Sequence, residues 1–193
     1  MPEGKLSQEA KQQLLSIARK SVHHGLLHGT PQPVDVAQYD EALSYDGASF
    51  VTLHLHGQLR GCIGSLLAHR PLAKDVAENA YSAAFKDPRF PPLMEQEEPE
   101  LTYHISVLSE PEPLEFESES DLLEQIRPGV DGLVLKDGAF HKGTFLPSVW
   151  EQLPSKELFL SHLKQKAGLE SDYWSPTIEV ERYTVEDIED TAA

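Results

Sequence analysis

Between Ser7 and His28 the apolar residues Leu14, Ile17, Ala18 and Val22 recur at three- and four-residue intervals, which predicts an amphipathic helix. Ser7 is placed to cap its start, and Gly25 and Gly29 mark its weakening and its end. A proline-containing connection, 29–46, follows. The period then changes to two. In Phe50-Val51-Thr52-Leu53-His54-Leu55-His56, Val51, Leu53 and Leu55 fall on one side, and a second strand-like stretch resumes within three residues, so 48–64 reads as a β-hairpin. A helical period returns after Pro71, with Leu72, Val76, Ala80 and Ala83 on one stripe to about Lys86, where Asp87-Pro88-Arg89-Phe90-Pro91-Pro92 breaks it. Leu101–Leu108 alternates Tyr103, Ile105 and Val107 against Thr102, His104 and Ser106. Ser118–Ile126 predicts a short helix. Gly132–Lys136, the turn Asp137-Gly138, and Ala139–Phe145 predict a second hairpin. Lys156–Ala167 reads as a helix stopped by Gly168, and Thr177–Val185 as a last strand.

Two hairpins, single strands and interspersed helices predict an α+β fold with a mainly antiparallel sheet flanked by helices. At 193 residues the chain fits one domain or two small subdomains, and it can bury roughly 70% of its unfolded surface. No repeat and no Gly/Ser-rich linker divides it.

Candidate chemistry concentrates in Leu59-Arg60-Gly61-Cys62-Ile63-Gly64, which holds the only cysteine. Glycines on either side of the thiol allow close approach by backbone or ligand. A two-residue turn at His56-Gly57 or Gly57-Gln58 pairs Cys62 with Val51 or Leu53. Either puts Cys62 and Arg60 on the Val51/Leu53/Leu55 face, and His54 and His56 on the other face with Leu59 and Ile63. A three-residue loop would reverse this. An arginine on an apolar face needs a carboxylate, a carbonyl or a cleft, because an unpaired buried charge is costly. Cys62 can be a small core residue or a nucleophile. The second requires a base, for which His54, His104 and His141 are candidates, with His54 on the wrong face by parity.

The net charge of −16, from 32 acidic and 16 basic residues, argues against nucleic acid as a direct partner. One cysteine excludes an intrachain disulfide and any multi-cysteine metal site. No apolar signal core and no membrane-length stretch is found, so a soluble cytoplasmic protein is expected. His24 and His28 stand at i,i+4, and His54 and His56 two apart on one strand, yet neither pair has a nameable third ligand. No metal and no cofactor is expected. Trp150 and Trp174 are expected to pack rather than to stack on a ligand.

The Leu59–Gly64 run resembles the signature of the AMMECR family, also called AmmeMemoRadiSam system protein A. Asp87-Pro88-Arg89-Phe90, Val130-Asp131-Gly132-Leu133-Val134-Leu135, Thr144-Phe145-Leu146-Pro147-Ser148-Val149-Trp150 and Lys166-Ala167-Gly168 resemble further segments of that family. The resemblance covers roughly 8–186, leaving 1–7 and 187–193 as tails, and Val149–Pro154 resembles the bacterial form. Ser65 departs from a common threonine, and Tyr173-Trp174 lies in a variable region. The resemblance implies two closely associated subdomains with the signature near a crevice between them. It implies partners as well: a Memo-type protein, which resembles non-haem iron dioxygenases, and a radical S-adenosylmethionine enzyme. Under it, Cys62 is the candidate nucleophile, and Arg60, Gly61 and Gly64 are candidate contacts to an unknown small-molecule or protein substrate. The alternative is a non-catalytic adaptor in which the motif is structural.

Overall fold

The structure, a computed structural model, describes residues 5–190. The chain divides into two compact units, one formed by the segment up to Leu108 together with the segment from Glu186, the other by Ser109–Val185. The fold is α+β, and each unit has its own four-stranded sheet.

In the first unit, helix α1 (Gln8–His28) begins where the Ser7 hydroxyl accepts the Ala10 N–H at 3.0 Å. It ends at Gly29, whose left-handed φ of 71° lets its N–H reach the Gly25 carbonyl. The stripe Leu14, Ile17, Ala18 and Val22 is buried. Each large side chain of that stripe contributes about 1.5–3 kcal/mol by leaving water. Helix α2 (Leu72–Phe85) buries Val76, Ala80 and Ala83. Strands β1 (Ala48–Leu55), β2 (Gln58–Gly64) and β3 (Leu101–Leu108) join strand β8 (Val185–Glu189) in the order β2-β1-β3-β8. Val51, Leu53, Tyr103 and Ile105 pack with the two helices in one core.

In the second unit the order is β4 (Glu112–Leu114), β7 (Ile178–Tyr183), β5 (Gly132–Asp137), β6 (His141–Phe145). Helices α3 (Glu119–Gln125) and α4 (Lys156–Lys166) are capped by Ser118 and Ser155. Leu133, Leu135 and Val180 share a second core with Phe159, Leu160 and Trp150.

Three sequence expectations change. The Asp137-Gly138 turn is a three-residue loop, because Asp137 pairs with His141. The last strand is two strands: Thr184 separates β7 from β8, and they enter different sheets. That second strand runs through Glu189, so it takes in part of the segment read as a tail. Strand β4 is too short to show a period. Among the described residues, no helix is long and apolar enough to cross a membrane.

Candidate functional site

The turn of the first hairpin is His56-Gly57, with φ of 52° and 76°, and Leu55 pairs with Gln58 as a two-residue loop requires. One step further in, the register shifts. Leu59 pairs with His54, Gly61 with Leu53, and Arg60 is the extra residue of a β-bulge. A one-residue shift sends every later side chain to the other face. Cys62 therefore lies opposite Thr52, not Val51 or Leu53, while Gly61 and Ile63 join the Val51/Leu53 side. The expected face of Cys62 is thus corrected, whereas His54 stays on the face opposite Val51 and Leu53 as expected and so shares the Cys62 side. His56 stands in the turn, beyond the end of β1, so it is no strand partner for His54.

Two contacts fix Cys62. The Thr52 hydroxyl donates to Sγ at 3.2 Å. The Cys62 amide donates to Asp87 Oδ2 at 2.9 Å. Strand β2 is an edge strand, whose outward amides have no neighbouring strand to pair with. Asp87 supplies the acceptor. It is buried, and it also accepts the Arg89 amide and both Nε and Nη2 of the Arg89 guanidinium at 2.7–3.0 Å. Those Arg89 bonds first, and the Cys62 amide as a smaller cause, hold its carboxyl well below the usual carboxylate range against the opposing effect of burial. Asp87-Pro88-Arg89-Phe90, separated from the signature by a whole helix, thus belongs to the same site.

Arg60 is 7% exposed. Its Nε and Nη2 donate to the two oxygens of Glu97 at 2.7 and 2.9 Å, a bidentate pair that lowers the Glu97 pKa. Its Nη1 is buried with no acceptor among the described residues. Both Arg60 and Arg89 present their guanidinium to the Phe90 ring, at 6.0 and 5.5 Å from its centroid. The two candidate glycines have packing reasons. A Cβ at Gly61 would lie 2.0 Å from the Ala83 carbonyl oxygen of α2, and one at Gly64 would lie 2.2 Å from the Phe50 ring.

On the Cys62 side of the sheet the register aligns three side chains across three strands, and a hydrogen bond adds a fourth from β8. Cys62 lies opposite Thr52, and Thr52 opposite His104. His104 Nε2 shares a hydrogen bond of 2.9 Å with Asp187 Oδ1, which also accepts the Ser106 hydroxyl at 2.7 Å. Asp187 raises the His104 pKa, and His104 first and Ser106 next lower that of Asp187.

Other chemistry-bearing residues stand apart from this cluster. The His24 and His28 rings are 4.4 Å apart on α1, and His141 Nδ1 meets the Ala167 carbonyl. Trp150 stacks on Phe159 at 3.8 Å and gives its indole N–H to the Asp131 carbonyl, so it packs. Trp174 meets Phe116 and Lys164. Among the described residues no three His, Cys, Asp or Glu side chains are grouped as a metal would need.

Sequence reasoning missed Thr52, Asp87, Arg89, Glu97 and Asp187. Asp-Pro-Arg carried a usable signal, since an aspartate commonly accepts the amide two residues on. It also missed Asp75, fully buried, whose carboxylate takes the Ser49 amide and hydroxyl, Ser65, Asn79 and the Arg70 guanidinium at 2.6–3.1 Å. Every lone pair there is used within the protein, so that network braces β1 against α2 and has nothing left for a ligand.

An α+β protein with two antiparallel four-stranded sheets and a lone cysteine beside a bulged arginine is the class defined so far. The chain matches the AMMECR1 family over residues 15–188 and belongs to it. Protein SSO0193 of Saccharolobus solfataricus is 36% identical over 185 residues, 92% of this chain and 80% of that one. Protein MK0488 of Methanopyrus kandleri is 36% identical, over 91% of this chain and 86% of that one. The crystal structure of the uncharacterized protein PH0010 from Pyrococcus horikoshii is similar with a TM-score of 0.84 at 31% identity, covering 95% of this chain and 93% of that one. These relatives are archaeal and give the expected bacterial form no support.

Proposed function

We propose that this protein binds an anionic substrate group, a carboxylate or phosphate, at Arg60 and Arg89 beside Cys62. It does so as a cytoplasmic component of a modification pathway with a Memo-type protein and a radical S-adenosylmethionine enzyme. The observation that carries the anion site is the unpaired Nη1 of Arg60. A buried donor without an acceptor costs roughly 1–3 kcal/mol, and an anionic oxygen would remove that cost. Arg89 adds a half-exposed guanidinium whose Nε and Nη2 are already pinned by Asp87, so it is pre-oriented. The partners rest on the family resemblance alone.

One observation favours a second reading, a non-catalytic adaptor: Gly61 and Gly64 are both required by packing. Two experiments separate them. Inorganic phosphate or malonate should slow iodoacetamide alkylation of Cys62, and the protection should vanish in Arg89→Ala. Metabolite profiles of a deletion strain should change, and change in the same way when either partner gene is deleted. Complementation by a folded Cys62→Ala protein, with no phosphate or malonate protection, would establish the adaptor instead.

A further inference from the structure

We infer that His104, held by Asp187, is the acid–base partner of the Cys62 thiol, with the Thr52 hydroxyl as the group that connects them. This rests on Cys62 being chemically active at the anion site just described. The inference starts from register. Cys62, Thr52 and His104 are directly opposed on β2, β1 and β3, and Asp187 reaches the row from β8. Neighbouring strands are about 4.8 Å apart, so the Cys62 and His104 backbones stand about 10 Å apart. That is too far for thiol and imidazole to touch. It suits a path through the residue between them, aided by at most one water.

Each atom on the path has the right role free. Thr52 Oγ1 stands 3.2 Å from Sγ, and a hydroxyl turns about its C–O bond, so it can donate to the sulfur or accept from it while donating elsewhere. Asp187 occupies His104 Nε2, which makes Nε2 the protonated nitrogen of the neutral ring and leaves Nδ1 as the base. In the step, the Sγ–H bond breaks and its proton passes to Thr52 Oγ1. The proton that Oγ1 held passes to His104 Nδ1, directly or through one water. The products are a thiolate that accepts the Thr52 hydroxyl and an imidazolium paired with Asp187. No electron is transferred. The raised pKa of His104 agrees with an imidazolium kept charged by Asp187, with Glu189 adding to it. The other groups facing the row are Arg89 and Asp87 at Cys62, Ser106 at Asp187, and His54 one pair further along β1.

The single cysteine makes the test direct. Alkylation of Cys62 by iodoacetamide is timed between about pH 6 and 8, where a histidine partner titrates. The wild-type protein should react about threefold to tenfold faster than His104→Gln or Thr52→Val, with Asp187→Asn in between. Equal rates in correctly folded variants overturn the pairing. A second measurement needs no substitution. The ring signals of His104 are titrated by NMR before and after Cys62 is blocked with iodoacetamide. Loss of the neighbouring anion should move the His104 midpoint to lower pH, and an unmoved midpoint overturns the inference even if the variants fail to fold. Protection by phosphate is read separately. Its survival alongside equal rates would reject the His104 partnership and leave the anion site standing.

Discussion

Asp87 and Asp131 are two buried carboxylates that do almost the same thing, one in each unit. Each grips an arginine of its own loop through Nε and Nη2, and each also takes that arginine's backbone amide. Arg89 and Arg127 are even matched in exposure, at 54% and 51%. The difference is a single bond. All three donors to the Asp131 carboxylate belong to Arg127, so it closes a loop on itself. Asp87 directs Oδ2 to the Cys62 amide as well, across to the free edge of β2. The same brace becomes a positioning device for a thiol once one acceptor is spent outside its own loop.

The comparison can be broken most forcefully by removing the carboxylates. Asp87→Ala and Asp131→Ala should each cost about 2–4 kcal/mol in urea unfolding, because each leaves buried donors unpaired. Only Asp87→Ala should speed hydrogen exchange at the Cys62 amide and alter alkylation of its thiol. A comparable change at Cys62 in Asp131→Ala would erase the distinction.

Acid provides the next contrast. The folded pKa of Asp87 is depressed, chiefly by Arg89, so its stabilising contribution is present above the unfolded carboxylate value of about 3.9. It is lost as pH falls from there through the folded value. Asp87→Asn should therefore flatten the acid limb of stability by about 2 kcal/mol, followed by urea unfolding at stepped pH.

Arginine removal is milder, since both side chains are half in water. Arg89→Ala and Arg127→Ala should each cost about 1 kcal/mol. Arg89→Ala alone should abolish phosphate protection of Cys62.

The smallest effect belongs to His104 and Asp187, at 30% and 55% exposure, where His104→Gln should cost under about 1 kcal/mol. The raised His104 pKa gives stability that is present below about 6.5 and lost as pH rises through the folded value. The lowered Asp187 pKa gives stability lost as pH falls. Thermal melts should show this pair's contribution only between those two limits.

Periodicity read from the sequence located α1, α2, β1, β3 and α4 closely, because each carries a buried stripe long enough to set its period. It placed the signature on a hairpin and offered two turns, of which His56-Gly57 is the one formed. It put Cys62 on the wrong face, because nothing in Leu59-Arg60-Gly61 announces a bulge. The bulge arises from three-dimensional demands: Gly61 must meet Ala83 of α2 and Arg60 must meet Glu97. Glu97 as the partner of Arg60 and Asp87 as the acceptor of the Cys62 amide were illegible for the same reason, since each lies many residues from that partner. The split between β7 and β8 falls at the single residue Thr184, and a one-residue break leaves no mark in an alternating pattern.

That split has a consequence for how the protein is made. Residues that complete the first sheet are synthesised only after the entire second unit has been synthesised. Until β8 arrives, the nascent first unit presents β3 as a bare edge, and His104 has no Asp187. Translation order therefore makes the first sheet the last to be finished, although most of it is the first to emerge. A chain stopped after Tyr183 would carry every residue of the Leu-Arg-Gly-Cys-Ile-Gly signature and still lack one end of the row that crosses it.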